Sequence, residues 1–494
     1  MNGPILVIRA DASAQGGAGH IMRTLAYAQE WVSRGGRCVY ICSTLPDKLK
    51  SRLHQETCTI LKIDAESGSQ EDALQTSNIL QEIAPHWLML DSYHLASSYQ
   101  KSLSLHKRTQ VIALSDFGIQ DFHKPRIIIH PNIAPSADYS SLTYRPTILT
   151  GADYTPIRKE LNPLRKKSTT PRPSNILISM GGSDPLEVAE TVSKHLINNR
   201  ELENIKIRLI LGPAYPSTGK AHQLKNHTLT IIHSPSSMHE HYNWADTIIC
   251  SPSTTALEAS YYGLAIGLIL VADNQHNILK AMQTQQAALS LGDASINQLA
   301  LEHLDLLLNP SEHFKLSNNA ASLIDGRGAK RVCQKMGLPE ITLRKANKND
   351  AKSLHTWSND PVTRKASFNT ELIPWEQHIL WFDKQLANDS SYLLITEDTH
   401  QNQYGVVRFS LDQSSNEATI SISLDQTCRG KGLAPIIINK AADFLFQKYH
   451  QYSIIAWIKP QNKASLQSFI RAGFQHSPSS LHPDKLRMKL NNPS

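Results

Sequence analysis

Short apolar runs alternate with helical patterns along the first two thirds of the chain. The first five runs are Ile5–Ile8, Cys38–Cys42, Trp87–Leu90, Val111–Leu114 and Ile127–Ile129. Their hydrophobicity is continuous rather than alternating, which is typical of parallel strands buried on both faces of a sheet. The pattern therefore predicts a Rossmann-like α/β lobe over residues 1–153.

The same pattern resumes after Thr155–Ser174, a stretch rich in proline, lysine and arginine that predicts a connection between two domains. Five further apolar runs follow at Ile176–Ser179, Ile205–Leu211, Leu229–Ile232, Thr247–Cys250 and Ile266–Val271. They predict a second Rossmann-like lobe over residues 174–335.

The pattern changes from Ile341 onwards. Helical periodicity over Asp350–Trp357 and Trp375–Leu386 precedes three runs that are typical of antiparallel strands. These runs are Tyr392–Ile395, Gly405–Leu411 and Ala418–Leu424, and a further strand is predicted at Ile454–Ile458. We therefore predict a third, smaller α/β domain over residues 341–494.

Composition narrows the class of protein. The 494 residues are 40% apolar and 19% charged, an ordinary globular balance with room for about three domains. The net charge of +7 is spread along the chain, which disfavours a nucleic-acid partner and suits an anionic small substrate. No run reaches the ~18 apolar residues of a membrane span, and the cysteines show neither metal-site nor disulfide spacing. We expect a reduced, cytoplasmic protein without a membrane or nucleic-acid partner.

A glycine-rich turn joins the first predicted strand to the first predicted helix. It runs from Arg9 to Gly19, and His20 follows in the first helical turn. Backbone N–H groups of such a turn approach an anion closely, and the positive end of the helix dipole disfavours an imidazolium. A neutral imidazole beside an anion-binding turn predicts a general base that acts on a phosphorylated substrate. An ordinary tight turn without chemistry explains the same residues.

Polar side chains follow other predicted strands, at the edge where parallel sheets bind ligands. Asp91 and Tyr93 do so in the first lobe. In the second lobe, Ser253–Thr255 open a predicted helix that offers hydroxyls and amides to a phosphate, and Glu258 one turn later is placed to accept from a ribose. Helix capping by Ser253 and dipole matching by Glu258 explain the same residues without a ligand.

Taken in order, five motifs of the two lobes resemble one family. They are Arg9-Ala-Asp-x-Ser with Gly19-His20-x-x-Arg23, Asp91-x-Tyr93, Gly181-Gly182-Ser183-Asp184-Pro185, Ser253-Thr254-Thr255-x-x-Glu258, and Ala272-Asp273-Asn274-Gln275. Over about residues 1–335 the chain looks like the UDP-sugar hydrolases of pseudaminic acid biosynthesis, which are similar in fold (GT-B) to the glycosyltransferase that makes lipid II.

This resemblance implies that His20 activates water for attack on the anomeric carbon of UDP-2,4-diacetamido-2,4,6-trideoxy-β-L-altropyranose, with Asp91 and Tyr93 also catalytic, and it implies no metal. It implies substrate contacts from Arg9, Asp11, Gly17, Gly19, Arg23, Gly182, Ser183, Met238, Ser253, Thr254, Thr255, Glu258, Asn274 and Gln275. Cys250-Ser251-Pro252 departs from the Gly-Ala-Gly-Gly that the family often has, and Pro252 offers no N–H to the diphosphate.

Two motifs of the third domain resemble the GNAT acetyltransferases. The first opens a predicted helix as a nest for a pyrophosphate, and the second follows the next strand: Arg429-Gly430-Lys431-Gly432-Leu433-Ala434 and Asn462-x-x-Ser465-x-x-x-Phe469. A basic surface turn explains the first motif equally when it is taken alone. The resemblance implies acetyl-CoA as co-substrate, with the pyrophosphate on residues 429–434, Asn462 and Phe469 near the CoA arm, and Ser421–Leu424 splayed from Ile454–Ile458. Phe469 cannot donate the proton that a tyrosine commonly supplies there, so the acid is another group or water.

The two resemblances together imply a bifunctional enzyme of pseudaminic acid synthesis. Residues 341–494 would acetylate UDP-4-amino-4,6-dideoxy-β-L-AltNAc, and residues 1–335 would then hydrolyse the diacetylated UDP-sugar. Asp360-Pro361, Arg364 and Trp375-x-x-His378-x-x-Trp381 are similar to the acetyltransferases of this step. A GT-B glycosyltransferase fused to an acetyltransferase and a non-catalytic UDP-sugar-binding protein are the alternatives, and the sequence leaves the oligomeric state open.

Overall fold

The computed structural model describes residues 4–13, 17–115, 123–133, 139, 142, 144–161, 173–182, 184–213, 215–216, 218–398, 401–477 and 484–492. Within these residues the chain forms three seven-stranded sheets and divides into two compact units. The larger unit contains residues 6–30 and 38–335, and the smaller contains residues 4–5, Trp31–Arg37 and the residues from Met336 onwards.

The first sheet of the larger unit has the strand order β3-β2-β1-β4-β5-β6-β7. Its strands are β1 (Ile5–Ala10), β2 (Arg37–Cys42), β3 (Thr59–Lys62), β4 (Trp87–Asp91), β5 (Gln110–Leu114), β6 (Ile127–His130) and β7 (Thr147–Thr150). Its helices are α1 (Gly19–Ser33), α2 (Asp47–Gln55), α3 (Gln70–Ile83) and α4 (Ser97–Ser102). The order reverses between β1 and β4, and doubly wound sheets bind ligands at the carboxyl ends of the strands at such a point.

All five strands that the sequence predicts in this lobe are present. The two that it misses, β3 and β7, lie at the edges of the sheet and are partly exposed, so they lack a continuous apolar run. The pairs β1–β4, β2–β3, β4–β5, β5–β6 and β6–β7 are parallel, as the continuous hydrophobicity of the central strands predicts.

The second sheet repeats this order as β10-β9-β8-β11-β12-β13-β14. Its strands are β8 (Asn175–Ser179), β9 (Lys206–Leu211), β10 (Leu229–His233), β11 (Thr247–Cys250), β12 (Ala265–Leu270), β13 (Leu289–Asp293) and β14 (Gln298–Leu299). Its helices are α5 (Val188–Asn198), α6 (His239–Trp244), α7 (Thr254–Tyr262), α8 (His276–Thr284), α9 (Leu304–Leu308), α10 (Pro310–Leu323) and α11 (Gly328–Lys335).

Alternate residues of the central strands supply separate cores on the two faces of this second sheet. Leu177 belongs to one buried cluster, whereas its neighbours Ile176 and Ile178 belong to the other. This double burial is the physical reason for the continuous apolar runs, because each successive side chain enters a core. After α10, α11 returns to the first lobe, where Arg331 Nη1 donates to the carbonyl of Asp153 at 2.9 Å.

The smaller unit contains a mixed sheet of order β15-β16-β17-β18-β19-β21-β20. Its strands are β15 (Thr342–Lys345), β16 (Ser391–Glu397), β17 (Gln403–Asp412), β18 (Glu417–Leu424), β19 (Ser453–Ile458), β20 (Gln475–His476) and β21 (Leu486–Leu490). Its helices are α12 (Ala351–Asn359), α13 (Pro361–Ala366), α14 (Trp375–Leu386), α15 (Leu433–Lys448) and α16 (Lys463–Arg471). Short 3-10 turns in the two units are Ala152–Tyr154, Lys159–Leu161, Arg200–Leu202, Lys220–Gln223, Asp273–Gln275, Leu301–His303, Lys348–Asp350 and Gln426–Cys428.

The pair β18–β19 is parallel, whereas β15–β16, β16–β17, β17–β18, β19–β21 and β20–β21 are antiparallel. The two strands pair over Glu417–Thr419 and Ser453–Ile455 and then separate. The splay predicted beside Ser421–Leu424 is confirmed, and both separated strand ends line a cavity of about 820 Å³. Across the described part of the chain, no helix is long and apolar enough to cross a bilayer.

Candidate active sites

His20 and Asp91 meet at the carboxyl edge of the first sheet. His20 is the second residue of α1, and Asp91 is the last residue of β4, the strand that pairs with β1. The His20 Nδ1 and Asp91 Oδ1 atoms lie 2.8 Å apart. The fold therefore brings together two residues that lie 71 positions apart in the sequence.

The hydrogen-bond partners of Asp91 favour one position of the proton on the imidazole. Arg23 Nε donates to Asp91 Oδ2 at 2.7 Å, and Arg23 Nη2 contacts Oδ1. Burial raises the pKa of the Asp91 carboxyl, but the charge of Arg23 and the hydrogen bonds from Arg23 and His20 lower it, to about 2. Arg23 Nη2 also lies 3.1 Å from His20 Nδ1, but the contact with Asp91 is shorter. An ionised carboxylate can only accept, so this contact favours a proton on Nδ1 and leaves the lone pair of a neutral ring on Nε2. The arrangement is that of a general base oriented by a carboxylate.

The Tyr93 ring lies beside this pair and is open to solvent. Its centroid is 4.9 Å from that of His20 in an edge-to-face arrangement, and 46% of the residue is exposed. His20 is itself 15% exposed at its side chain, so the imidazole is reachable from outside. His20, Asp91 and Tyr93, the three residues predicted to be catalytic, thus form one cluster.

Arg9 and Asp11 hold the strand end together. Arg9 is fully buried, and its guanidinium binds Asp72 through Nε at 3.1 Å and Nη2 at 2.7 Å, and Asp11 through Nη1 at 2.6 Å. Asp11 in turn accepts from the backbone N–H groups of Ser43 and Thr44. Their predicted contact with substrate stays a prediction, because the structure gives both side chains partners within the protein. The Arg23 side chain is bonded to Asp91 in the same way, so its predicted contact with substrate also stays a prediction.

The turn before His20 has the backbone expected of a glycine-rich loop. Gly17 has a φ of +74° and donates its N–H to Ser13, and α1 begins at Gly19. A Cβ at either glycine would meet no atom of the described residues within 4 Å. Residues 14–16 of the same loop lie outside the described residues.

The glycines after β8 make a similar open turn in the second lobe. Gly181 has a φ of +90°, and neither Gly181 nor Gly182 has an atom within 4 Å of the position a Cβ would take. Asp184 ends the turn by accepting from the first N–H groups of α5, at Val188 and Ala189. Ser183, which the sequence predicts as a contact, lies outside the described residues.

Ser253 begins α7 as the sequence predicts. Its hydroxyl accepts from the Thr255 N–H at 3.3 Å, and Thr254 and Thr255 are half-buried in the first turn. The remaining predicted contacts lie in loops that follow other strands. Met238 precedes α6, Gln275 accepts from the Val271 N–H, and the side chain of Asn274 is outside the described part of the structure.

Glu258 lies in a buried network that the sequence did not reveal. Arg158 donates to Oε1 from Nε at 3.1 Å and from Nη2 at 2.9 Å, and the Tyr242 hydroxyl donates to Oε2 at 3.0 Å. The predicted ribose contact stays a prediction, since the structure gives both carboxylate oxygens protein partners. Arg158 belongs to a basic run that the sequence assigns to the connection between two domains, and its side chain is buried.

In the smaller unit, the turn before α15 fits a pyrophosphate. Gly430 and Gly432 have φ values of +74° and +73°, and α15 begins at Leu433. Left-handed residues between ordinary ones turn successive N–H groups towards one side, and the first N–H groups of a helix lack carbonyl partners. A Cβ at Gly430 would meet nothing within 4 Å, which leaves room for a ligand. The predicted nest over residues 429–434 therefore has suitable geometry.

The Arg429 side chain secures this turn to the end of β18. Its Nη1 lies 2.7 Å from Asp360 Oδ1, and its Nη2 donates to the Leu424 carbonyl at 2.9 Å. Lys431 is exposed, and Ala434 lies in the wall of the cavity between β18 and β19. The guanidinium thus secures the turn, and the predicted binding of a pyrophosphate by its backbone amides stays a prediction.

Asn462 and Phe469 also line this cavity. Asn462 caps α16 by accepting from the Ser465 N–H at 3.1 Å, and Phe469 packs edge-on against Phe474 with centroids 4.9 Å apart. No tyrosine occurs among the described residues that line the cavity. The prediction that the acid for the departing thiolate is another group or water therefore stays open.

Sequence reasoning overlooked a further residue of this cavity, Arg408 on β17. A signal for it exists, because Val406 and Arg408 are two residues apart and so share one face of the strand. Val406 belongs to the apolar cluster formed with α12 and α14, so Arg408 is a charge at an inward-facing position. Among the described residues, no group of three or more His, Cys, Asp or Glu side chains is placed to hold a metal ion.

Comparison with known families identifies the smaller unit. Residues 340–475 match the family model for the acetyltransferase (GNAT) domain. This part of the chain is a GNAT acetyltransferase domain, and the enzymes of this class use acetyl-CoA as the acetyl donor. The structure adds that β18 separates from β19 in this domain and that two left-handed glycines precede α15.

Two proteins and one solved structure are similar to particular stretches or to most of the chain. An uncharacterized protein of Methanocaldococcus jannaschii is 21% identical over 431 residues, which cover 83% of this chain and 84% of that protein. The UDP-2,4-diacetamido-2,4,6-trideoxy-β-L-altropyranose hydrolase of Campylobacter jejuni is 22% identical over 192 residues, 39% of this chain and 65% of the hydrolase, so less than two thirds of that enzyme is covered. The spermidine N-acetyltransferase of Vibrio cholerae, solved in complex with CoA and spermine, is 19% identical, covering 31% of this chain and 95% of that chain with a TM-score of 0.29.

Proposed function

We propose that the two N-terminal lobes hydrolyse a UDP-sugar and that the GNAT domain acetylates the amino-sugar precursor of that substrate. The inferred substrates are UDP-2,4-diacetamido-2,4,6-trideoxy-β-L-altropyranose for hydrolysis and UDP-4-amino-4,6-dideoxy-β-L-AltNAc for acetylation, which places both steps in pseudaminic acid synthesis. The ordered motifs of the two lobes and the partial similarity to the Campylobacter hydrolase support this proposal. Two doubly wound sheets in succession are what a GT-B arrangement requires.

The observation that carries the hydrolase half is the oriented pair of His20 and Asp91. In the proposed reaction, Nε2 of His20 takes a proton from water while the water oxygen bonds to the anomeric carbon. The bond from that carbon to the β-phosphate oxygen breaks, and its electron pair leaves with UDP. Asp91 stays ionised at neutral pH and stabilises the imidazolium that forms.

The second lobe supplies groups for the departing diphosphate. The Ser253 and Thr255 hydroxyls lie at the N-terminus of α7, where N–H groups and the helix dipole favour an anion. The open turn at Gly181 and Gly182 lets backbone approach the same kind of group. UDP is a stable anion, so stabilisation of its charge lowers the barrier to its departure.

In the acetyltransferase half, the amine attacks the thioester carbonyl of acetyl-CoA, whose thiol leaves as the amide forms. The residues present fit this co-substrate, because the turn at Gly430 is open and β18 separates from β19 beside it. Asn462 borders the same cavity. These residues bind and orient the donor, while α12 and α14 cover the face of the sheet on which the amine must approach.

Product analysis tests both halves. The full-length protein is incubated with each UDP-sugar, with and without acetyl-CoA, and products are followed by mass spectrometry. We expect acetyl transfer to the 4-amino sugar, and release of UDP and free sugar from the diacetamido sugar without any carbohydrate acceptor. His20→Asn should lower UDP release by about 10²–10⁴-fold, the usual cost of losing a general base, and leave acetylation unchanged.

The outcomes separate the alternatives. UDP release that requires a carbohydrate acceptor would identify a glycosyltransferase. Tight binding of the UDP-sugar without turnover would identify a binding protein. Unchanged hydrolysis by a folded His20→Asn variant would remove His20 from the mechanism.

A further inference from the structure

The cavity of the acetyltransferase domain carries positive charge without any acidic residue in its described lining. Five basic residues face it: Arg364, Arg408, Arg429, Lys459 and Lys485. The described lining contains no aspartate or glutamate. Such a cavity attracts anions and repels polycations.

Four of these five cations have identified neighbours that account for their positions. Arg429 is paired with Asp360, and Arg364 donates to the Glu371 carbonyl. Lys459 donates to the Lys365 carbonyl, and Lys485 lies 4.2 Å above the ring of Phe368. Their charges contribute to the field of the cavity, but each has a role within the protein.

Arg408 differs from the ion-paired arginines of the domain, and from Arg364, which has no carboxylate partner but donates to the Glu371 carbonyl and the Ser367 hydroxyl. Arg344, Arg429 and Arg487 each form an ion pair with at least one carboxylate. The Arg408 side chain has no hydrogen bond or ion pair with the described residues. Its guanidinium lies 5.6 Å from the ring centroid of Trp381. Burial lowers the pKa of this guanidinium, so the protein bears a desolvation cost there without an internal counter-charge.

The position of Arg408 separates it from the pyrophosphate nest. Arg408 is opposite Ser421 of β18, three residues before the strand ends at Leu424. At about 3.3 Å per residue, this register position is roughly 10 Å from the strand end that leads into the nest. Ser421 and Ser423 line the cavity beside it, on the face covered by α12 and α14. An anion bound at Arg408 is therefore a different group from the one on the nest.

We propose that Arg408 binds a phosphate group of the amine that receives the acetyl group, so that the domain selects phosphorylated amines and rejects polyamines. This inference rests on the proposed function in taking the cavity as the site of acetyl transfer, and it adds the residue that determines specificity. A bound phosphate would supply the counter-charge that Arg408 lacks. The Trp381 ring lies within cation–π range of the guanidinium, which favours this position of the charge before the substrate enters.

The test compares acceptors and variants with the full-length protein. Initial rates with acetyl-CoA are measured for the UDP-4-amino sugar, glucosamine 6-phosphate, glucosamine and spermidine. Arg408→Gln should lower kcat/KM for the two phosphorylated amines by about 10- to 100-fold, the scale of a lost charge-assisted hydrogen bond, and change the rate with glucosamine far less. Arg408→Lys should recover part of the loss. Arg471→Gln is the matched control, since Arg471 is an exposed arginine of the same domain outside the cavity lining.

Two further measurements separate recognition from a structural role. The melting temperature of Arg408→Gln without ligands should equal or exceed that of the wild type, because an unpaired buried charge is removed. The KM for acetyl-CoA should not change, whereas a contact between Arg408 and CoA would raise it and contradict the proposal.

The outcomes distinguish a failure of the proposed role of Arg408 from a failure of the proposed function. Acetylation of the UDP-4-amino sugar with equal kcat/KM in wild type and Arg408→Gln would overturn the role of Arg408 and leave the proposed function standing. Arg408-dependent acetylation of glucosamine 6-phosphate without turnover of the UDP-4-amino sugar would do the reverse. Spermidine as the best acceptor would refute the inference. If no amine is acetylated, equal affinities of the two CoA-saturated proteins for glucosamine 6-phosphate in calorimetry would overturn it.

Discussion

Asp91→Asn removes the charge that orients the proposed base while keeping the size of the side chain. The carboxylate accepts from His20 Nδ1 at 2.8 Å and from Arg23 Nε at 2.7 Å. An asparagine has one acceptor oxygen, so its amide N–H₂ must face a donor of either His20 or Arg23. The substitution therefore disturbs the imidazole and leaves the imidazolium that forms during hydrolysis without a counter-charge.

The expected loss of rate follows from electrostatics. Two unit charges about 4 Å apart interact by about 4 kcal/mol at an effective dielectric constant near 20. Since 1.36 kcal/mol corresponds to a factor of ten, removal of the carboxylate charge should lower kcat by about 10³-fold. The equivalent substitution in a serine-protease triad costs about 10⁴-fold, so 10³–10⁴-fold is the predicted range.

The assay is UDP release from the diacetamido UDP-sugar, with kcat and KM determined separately. KM should change little, because Asp91 is buried and supports His20 from behind. Arg23 is left without its carboxylate in the single variant, so Asp91→Asn/Arg23→Gln is the second variant, which should regain stability without regaining activity. Asp64→Asn, at an exposed carboxylate of the same lobe, controls for net charge. A folded Asp91→Asn protein with kcat within tenfold of wild type would refute the reasoning.

Three further predictions follow from other contacts. Glu258→Ala leaves Arg158 buried without its carboxylate and should lower the free energy of unfolding by about 3–5 kcal/mol in urea titrations. A loss below about 1 kcal/mol would contradict this prediction. A separate fall in the affinity for UDP would support the ribose contact. The pKa of Asp91 is about 2, below its usual 3.8, so the ionised carboxylate stabilises the folded state above pH 4. About 2 kcal/mol of the free energy of unfolding should therefore be lost as the pH falls from 4 through 2. The Asp91→Asn protein should not show this loss. Gly432→Val places a branched side chain at a φ of +73° and should abolish acetyl transfer but spare UDP-sugar hydrolysis. Gly337→Val is the control, because Gly337 has a φ of +80° outside the nest, and it should spare both activities. Retained acetyl transfer in Gly432→Val would exclude a role of the nest in binding acetyl-CoA.

Much of the architecture follows from the sequence because the central parallel strands are buried on both faces. Each of the ten apolar runs in the two lobes forms a strand, since continuous burial leaves a continuous signal. The edge strands β3 and β7 leave no such signal, because half of their residues face solvent. Their presence follows from pairing with a neighbouring strand, which a local pattern does not contain.

In the candidate sites, too, the sequence predicts local features but not contacts between residues that are distant in the chain. The placement of His20 at a helix start is a local property, and the sequence predicts it. The partners of Arg9, Glu258 and Asp91 lie 63, 100 and 71 residues away, respectively, so only the fold shows which polar side chains neutralise each other. Motif position alone could not distinguish a ligand-binding Glu258 from one that is already paired with Arg158.

The electrostatics of the two candidate sites suit opposite tasks. In the hydrolase lobes, Asp91 provides the negative charge that a histidine needs in order to hold a proton taken from water. In the acetyltransferase cavity, the described lining has no carboxylate to act as a base for the attacking amine. The cations there offer another means, because nearby positive charge disfavours the ammonium form of a bound amine and so favours the neutral nucleophile. A phosphate on the acceptor would be attracted by the same charges, so a single positive field would both hold the substrate and keep its amine unprotonated.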